Sequence, residues 1–505
     1  MSEQQKDKQT TIQGKDEKSN YRSIFKATSL FGGVQVYNIL IGVIKAKFIA
    51  VLLGPAGMGI QGLLSAGVNL VKNYTSFGLS SSTVREVADA NSSGDIQKVG
   101  RTVAILRRLV WITGLLGLVV TAAFSPILSK SSFGNYDYTI PFVALSIILL
   151  LNQLSAGQNV VLQGMRKLKY LAKSSAIGST LGLVVSVPLY YLLGVRGIVP
   201  TLILNAVTSL ILSWYFSRKV KIPKVQVTTK EALKEGASMI KMGIAMSISG
   251  MLGMAFVYLI RGFIRFQGGV EDVGLYTAGF TLMNTYVGMV FTAMATDYYP
   301  RLSAVNKDNN SCREVINQQA EIACLIIGPL VVACTLFMPY IVEILYSKEF
   351  LPATDFILWA VLGLMFKAAS WSISFIFLAK AESRLYIYNE TVSCTYGFIL
   401  KVLCYYLWGL TGLGIAFTVS FMIYLAQVYI ISRKKYDFRL SKDFLKVFTI
   451  QLILALVGYV AIKVWHSPLV NVLVVLMLLL SLWHSLVELN KRMDVLALIK
   501  NRMKK

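Results

Sequence analysis

The sequence predicts an all-α integral membrane protein of about fourteen transmembrane helices. It would form two pseudo-symmetric six-helix lobes around a central cavity, plus two extra C-terminal helices. Three observations carry this. Of 505 residues, 55% are hydrophobic and only 15% charged, against about 25% charged in ordinary soluble domains, and the mean hydropathy is +0.61. The apolar residues fall in blocks of roughly 20 or more, enough for helices across about 30 Å of hydrocarbon, whereas a β-barrel would show alternating segments of about ten. The chain also repeats itself at a fixed offset.

In chain order, residues 1–22 are polar and read as a disordered cytoplasmic tail. They lack the apolar core of a signal peptide, so the first span serves as an uncleaved insertion signal. Spans follow at about 24–53, 56–80, 102–128, 139–163, 171–193, 196–217, 239–264, 272–299, 316–340, 354–379, 386–408, 411–432, 444–465 and 468–489. Short turns such as GPAG (54–57) and GVRG (194–197) separate several of them, as antiparallel neighbours require. Pro188 and Pro329 fall mid-span and fit either a gating kink or ordinary packing. The resulting division is an N-lobe at 23–219 (spans 1–6), a cytoplasmic linker at 220–238, a C-lobe at 239–434 (spans 7–12), and two extra spans with a cytoplasmic tail at 435–505.

The repeat appears when the sequence is shifted by 215 positions. Gly59 then meets Gly274, Asn69 meets Asn284, Thr180 meets Thr395 and Gly182 meets Gly397. Further on, Tyr190-Tyr191-Leu192 meets Tyr405-Tyr406-Leu407, Gly194 and Gly197 meet Gly409 and Gly412, and Ser217-Arg218-Lys219 meets Ser432-Arg433-Lys434. Span 1 falls on span 7 and span 6 on span 12. An even number of spans per copy makes both copies enter from the same side, related by an axis along the membrane normal, as in two-lobed transporters gated by rocking. No filter-like segment points to a channel.

Lys and Arg number 50 against 25 acidic residues, a formal +25. In a soluble protein this excess points to nucleic acid; here its placement accounts for it. The connections on one side hold Lys130, Arg196, Arg265, Lys348 and Lys463. Nearly all other basic residues lie on the side carrying both termini, which marks that side as cytoplasmic. Topology and contact with anionic lipid explain the charge without nucleic acid. Five cysteines without a CxxC and two histidines, His466 and His484, leave little material for a metal centre or Cys/His catalysis. No GxxxxGK[ST] loop is present for ATP hydrolysis. The chain reads as a non-enzyme with no cofactor and no metal.

Six basic residues fall inside spans: Lys45, Lys47, Lys72, Arg261, Lys367 and Lys401. Each would cost about 2.5–3.5 kcal/mol at a helix centre, so each is expected to face a wet cavity or a partner. Lys45, Lys47 and Arg261, nearer the span ends, could instead snorkel; Lys72, Lys367 and Lys401 lie closer to mid-span. Shifted back by the repeat offset, Arg261 falls at position 46, between Lys45 and Lys47. Cations at equivalent places in both lobes would make a clamp for an anion.

With these features the sequence resembles the Wzx-type polysaccharide repeat-unit flippases, above all the O-antigen and enterobacterial-common-antigen (lipid III-like) translocases. These belong to the multidrug/oligosaccharidyl-lipid/polysaccharide exporter superfamily. The likeness rests on KFIAVLLGPAGMGIQGLLSAGVNLVKNYTSFGLSSSTVREVA (47–88), with its LLGPAGMG turn, and on DVGLYTAGF (272–280) and ATDYYPRLS (295–303). It covers about residues 24–435. In the related lipid II flippases a basic–acidic pair stands about ten residues before the glycine matching Gly54. Here Ile44-Lys45 keeps the cation without the acid. Lys72, before Phe77-Gly78, matches a basic residue of span 2. Asp297 and Arg301 match charged positions with gating roles, Arg85 is their nearest first-lobe counterpart, and Glu390 is grouped with them as a gating or coupling residue.

The resemblance implies a multi-pass bacterial inner-membrane protein with both termini cytoplasmic, serving lipopolysaccharide biosynthesis. It would act as a monomer, with a polysaccharide polymerase and a chain-length regulator as candidate partners. It would move an undecaprenyl-pyrophosphate-linked oligosaccharide from the cytoplasmic to the periplasmic leaflet by alternating access. Lys45, Lys47, Lys72 and Arg261, with Lys367 and Lys401 from the second lobe, would replace the hydration of the pyrophosphate. The polyprenyl tail would stay in lipid, avoiding a loss of about 0.8 kcal/mol per CH₂. Downstream consumption, a proton gradient and a sodium gradient all remain open as driving forces. A cation-coupled multidrug antiporter of the same superfamily would want an acidic cavity. A membrane polymerase or ligase would want a large catalytic exterior loop, and a plain scramblase needs no head-group selection.

Overall fold

A computed structural model describes residues 3–464 and 468–493; His466 and the tail at 494–505 lie outside the described residues. The first two spans form one continuous stretch, α1 (Glu3–Thr75), whose backbone leaves helical geometry at Gly54 (φ 63°, ψ −173°). Its helical backbone starts at Glu3, where composition leads one to expect a disordered tail. Glu, Gln and Lys are strong helix formers, and the segment runs into an apolar helix that supplies its nucleus.

Next come α2 (Leu79–Ser92), α3 (Ile96–Ala123), α4 (Ser125–Phe133), α5 (Thr139–Gly164) and α6 (Leu168–Leu193), then a 3-10 turn at Gly194–Gly197 and α7 (Ile198–Arg218). An extended stretch leads to α8 (Thr229–Glu235) and to α9 (Ala237–Thr281), which breaks at Gly269 (φ 85°, ψ −176°). After a π turn (Leu282–Tyr286) come α10 (Gly288–Ala304), α11 (Asn309–Leu345), a 3-10 turn (Lys348–Ala353) and α12 (Thr354–Ala379). The chain ends with α13 (Ser383–Tyr436), broken at Trp408 and Gly409, α14 (Lys442–Val464) and α15 (Pro468–Met493). Helices α2, α4 and α8 are absent from the sequence reading because they are too short to span a bilayer.

Nine stretches among the described residues are long and apolar enough to cross a membrane. Three of them, at 43, 51 and 54 residues, are about twice the ~20 residues a bilayer needs. Each is divided at a glycine: Gly54, Gly194 or Gly409. With α9 and α10 supplying spans 7 and 8, the helices follow the fourteen-span order. The breaks also carry the repeat. Gly54 and Gly269, one offset apart, share a left-handed φ with ψ near 180°. Gly194 (φ 54°, ψ −133°) and Gly409 (φ 57°, ψ −140°) are one offset apart too. A side chain at such angles is strained, so glycine is the residue that permits the turn.

The protein packs as two compact units. The first comprises Met1–Leu53 with Leu64–Met254, the second Gly54–Leu63 with Ala255–Lys505. In the first, α3 packs on α5, and α5 and α6 on α7. Gly78 (φ 61°) lies so close to α9 that a Cβ there would stand 2.2 Å from the Gly243 carbonyl oxygen. In the second, α11 packs against α12, α14 and α15. Gln451 of α14 ties the last two helices together, donating to Ser485 Oγ at 2.8 Å and accepting from Ser481 Oγ at 2.5 Å. Arg492 of α15 reaches Glu321 of α11 at 2.9 Å.

The short piece Gly54–Leu63 belongs to the second unit because of one crossing. A Cβ on Gly59 would stand 2.0 Å from the Val270 carbonyl oxygen, and a Cβ on Gly274 would stand 1.8 Å from that of Pro55. The pairs 55/270 and 59/274 are each related by the repeat offset, so equivalent residues meet with exchanged roles. Gly59→Ala and Gly274→Ala are each expected to cost about 1–3 kcal/mol through overpacking, read as a lower melting temperature of the purified protein. Gly253→Ala, whose Cβ meets nothing within 4 Å, should leave it unchanged.

A second prediction concerns α8. Thr228 and Glu231 form a capping box at its start. At its end Glu235 accepts from Arg101 of α3, Nε at 2.9 Å and Nη2 at 2.5 Å, and the bonded guanidinium holds its carboxyl below the usual carboxylate range. The stabilisation is therefore present above about pH 4.3, the unperturbed value, and is lost as pH falls through the lowered one. The difference in melting temperature between wild type and Glu235→Gln should shrink on acidification from neutral pH to about 3.

Candidate functional site

The first unit holds a partly open cavity of about 580 Å³ between the first half of α1 and helices α5, α6 and α7. It exists because α6 turns a small-residue face inward. Ala172, Ser174, Ser175, Gly178, Ser179 and Gly182 recur at helical spacing along it. The facing stripe of α1 is polar: Gln35, Asn38 and Lys45, with Gly42 between them. Asn38 fixes the two helices together, donating Nδ2 to Ser175 Oγ at 2.8 Å and accepting from Ser179 Oγ at 2.7 Å. Tyr37 adds a bond to Thr180 Oγ1 at 2.7 Å.

From the other wall come Asn159, Asn205 and Ser209. The Oδ1 atoms of Asn159 and Asn205 are buried without a hydrogen-bond partner, so both are acceptors open to a donor. A second, smaller recess of about 250 Å³, lined by Asn69 and Asn152, shares Asn205. Among the described residues Lys45 is the one charged residue lining the larger cavity, and no carboxylate lines it. One ammonium, several amides and several hydroxyls in a hollow between apolar helices suit an anionic ligand rich in hydroxyl groups. They do not suit an organic cation.

The other expected site residues are placed as follows. Lys47, two residues beyond Lys45, does not line the cavity, since positions i and i+2 of a helix point apart. Lys72 is expected near mid-span, yet it sits in the last turn of α1. The helix stops at Thr75 because Phe77 (φ 47°) and Gly78 (φ 61°) both take the left-handed conformation. An ammonium there also complements the helix C-terminus. Arg261 is engaged by the backbone: Nη1 donates to the Gly62 carbonyl at 2.9 Å, beside the Gly59–Gly274 crossing, while its Nε is buried without a partner.

Lys367 of α12 lies in an aromatic cage, 5.2 Å from the Phe291 ring, 5.5 Å from Phe421 and 6.0 Å from Phe417. Such contacts offset part of the cost of burying a cation. Lys401 is half-buried on α13. The residues expected to gate are of two kinds. Arg85 pairs with Asp89 at 3.8 Å on the exposed face of α2. Arg301 pairs with Asp297 at 3.9 Å and donates to Gln319 at 3.1 Å. Glu390 is inside the second unit, accepting from Tyr424 at 2.6 Å, with Asn389 and Gln427 in the same network.

Sequence reasoning followed full charges and so overlooked Asn38, Asn159 and Asn205. The signal that could have found them is an uncharged amide inside an otherwise apolar span, which is costly there unless it faces a partner or a cavity.

Comparison with known proteins agrees with this fold. The polysaccharide biosynthesis protein family matches residues 48–355, and the lipid II flippase MurJ family matches residues 272–481. Among curated proteins, the lipid III flippase of Escherichia coli (strain K12) is 22% identical over 419 residues, covering 80% of this chain and 96% of its own length. Among solved structures, an inward-facing multidrug resistance MATE family transporter of the MOP superfamily superposes with a TM-score of 0.67 at 16% identity, covering 80% of this chain and 94% of that one. Lipid II flippase MurJ in an inward closed conformation gives 0.66 at 14%, covering 93% and 99%. Both share the all-helical fold. With a family match that spans more than half of its length, the chain belongs to the polysaccharide biosynthesis protein family.

Proposed function

We propose that the protein is a flippase that carries an undecaprenyl-pyrophosphate-linked oligosaccharide repeat unit from the cytoplasmic to the periplasmic leaflet by alternating access. The observation that carries this reading is the Lys45 cavity. Among the described residues its single charge is positive, its remaining polar lining is amide and hydroxyl, and two of its acceptors are unpartnered. A sugar presents hydroxyl donors to such acceptors, and a pyrophosphate presents charge to the ammonium. Similarity to a lipid III flippase along nearly that protein's whole length supports the same class of cargo.

In this reading Lys45 contacts the head group. Lys47, Lys72, Arg261, Lys367 and Lys401 contribute positive potential or exchange partners during the cycle, and the Arg85 and Asp297–Arg301 pairs serve the cytoplasmic gate. Glu390, hydrogen-bonded inside the second unit, is the candidate coupling residue. The polyprenyl tail remains in the bilayer, where its burial is already satisfied.

The test is complementation of a flippase-null strain, paired with transfer of a lipid-linked oligosaccharide across reconstituted vesicles. Lys45→Ala should slow transfer about tenfold, the effect of losing about 1.4 kcal/mol of differential binding, and Lys45→Arg should restore most of it. Gly178→Leu should block transfer while leaving the fold intact. A Cβ at Gly178 meets only Leu212, at 3.6 Å, so the new side chain enters the cavity without a backbone clash. If both Lys45→Ala and Gly178→Leu transport at wild-type rates with normal expression, the cavity is not the cargo site. Export of a fluorescent organic cation in place of the oligosaccharide would support the multidrug antiporter instead.

A further inference from the structure

Apart from the Lys45 cavity, the first unit holds a recess of about 740 Å³ between α3 and the extended chain leading to α8. One wall is a helical face of α3 bearing Arg107, Arg108 and Trp111. The other is the chain from Pro223 to Thr228, which lies close because position 100 is glycine: a Cβ there would stand 2.9 Å from the Pro223 carbonyl oxygen. This chain is packed in place, with Val227 buried against Leu79, Ile105 and Leu109.

The recess carries a net positive charge. Arg107, Arg108 and Lys224 line it against one carboxylate, Glu231, and Arg218, stacked 3.9 Å over the Trp214 ring, adds its field to that of Arg107. The nearby carboxylates are occupied. Glu235 is bonded to Arg101, and Glu231 is turned back onto Thr228, accepting from its N at 2.8 Å and its Oγ1 at 2.9 Å.

The recess also lies where hydrocarbon begins. No charged residue occurs in α3 from Leu109 to its end at Ala123. Trp111, Leu115 and Val119 follow one another at i, i+4 and i+8, and they are 49%, 46% and 59% exposed. On a membrane-spanning helix this is an apolar stripe turned to lipid. Trp111, Trp214 and Tyr215 mark the head-group level in the way interfacial aromatics do.

We propose that this recess binds the phosphate head of an anionic phospholipid from the surrounding leaflet, with an acyl chain along Trp111, Leu115 and Val119. The site is separate from the cargo cavity. Cations set immediately below an apolar stripe match a ligand whose charge and chain are joined at that spacing.

The experiment titrates phosphatidylglycerol and, separately, phosphatidylcholine into the delipidated full chain, with bound lipid read by native mass spectrometry. The wild type should bind phosphatidylglycerol at least about tenfold more tightly than phosphatidylcholine. The triple variant Arg107→Ala/Arg108→Ala/Lys224→Ala should lose that preference, and Arg107→Lys/Arg108→Lys should keep most of it, which separates lost charge from lost fold. Trp111→Ala should weaken retention of phosphatidylglycerol with the cations intact. Undiminished preference in the triple variant would overturn the proposal. So would displacement of phosphatidylglycerol by millimolar inorganic phosphate at constant ionic strength, since the apolar stripe would then contribute nothing.

Discussion

Two glycines without side chains hold the repeat together. Gly59 lies against the Val270 carbonyl and Gly274 against that of Pro55, so the turns that divide α1 and α9 meet backbone to backbone. A methyl group at either place would sit well inside the van der Waals contact distance to an oxygen. Because the partners are equivalent under the repeat, the contact behaves like an isologous interface inside a single chain. Close approach of this kind is how helices associate in lipid, where apolar side chains gain nothing by leaving hydrocarbon and packing must supply the attraction. The same crossing explains why Arg261, expected to face cargo, reaches the Gly62 carbonyl beside it.

The cavity illustrates a second constraint. A hollow inside a helical unit has to be made by omission, and α6 omits side-chain volume along one face through Gly, Ala and Ser. Polar groups lining such a hollow must be satisfied by one another or by a ligand. Asn38 is satisfied by Ser175 and Ser179; the Oδ1 atoms of Asn159 and Asn205 are left over. Among the described residues the lining of this hollow is thus amides and hydroxyls arranged around one ammonium. Lys367 shows the other way to keep a cation in a membrane: its three phenylalanine rings substitute for part of its hydration.

The basic residues serve several purposes at once. The charge is spread along the chain as an excess of 25 basic over acidic residues, yet particular members are used locally. Arg101 fastens α8 to α3 through Glu235, Arg492 fastens α15 to α11, and Arg107, Arg108 and Lys224 collect around one recess. A net charge says nothing about which of these roles any one residue has. Only its neighbours do.

The sequence by itself determined the all-helical membrane architecture, the order of the spans and the repeat. Each of these is written in local terms: hydrophobic block length, glycine position and a fixed offset. Gly194 and Gly409, one offset apart in the sequence, stand where two of the long helical stretches break. Tertiary structure decided which intramembrane cation lines a hollow, which is caged by rings and which is bound to a backbone carbonyl. It also ended α1 at Thr75, so that Lys72 belongs to a helix terminus, and it revealed the asparagines that pattern reading passed over. The physical reason is that depth and period can be read along one helix, whereas the face a residue shares with its neighbours depends on helices far away in the chain.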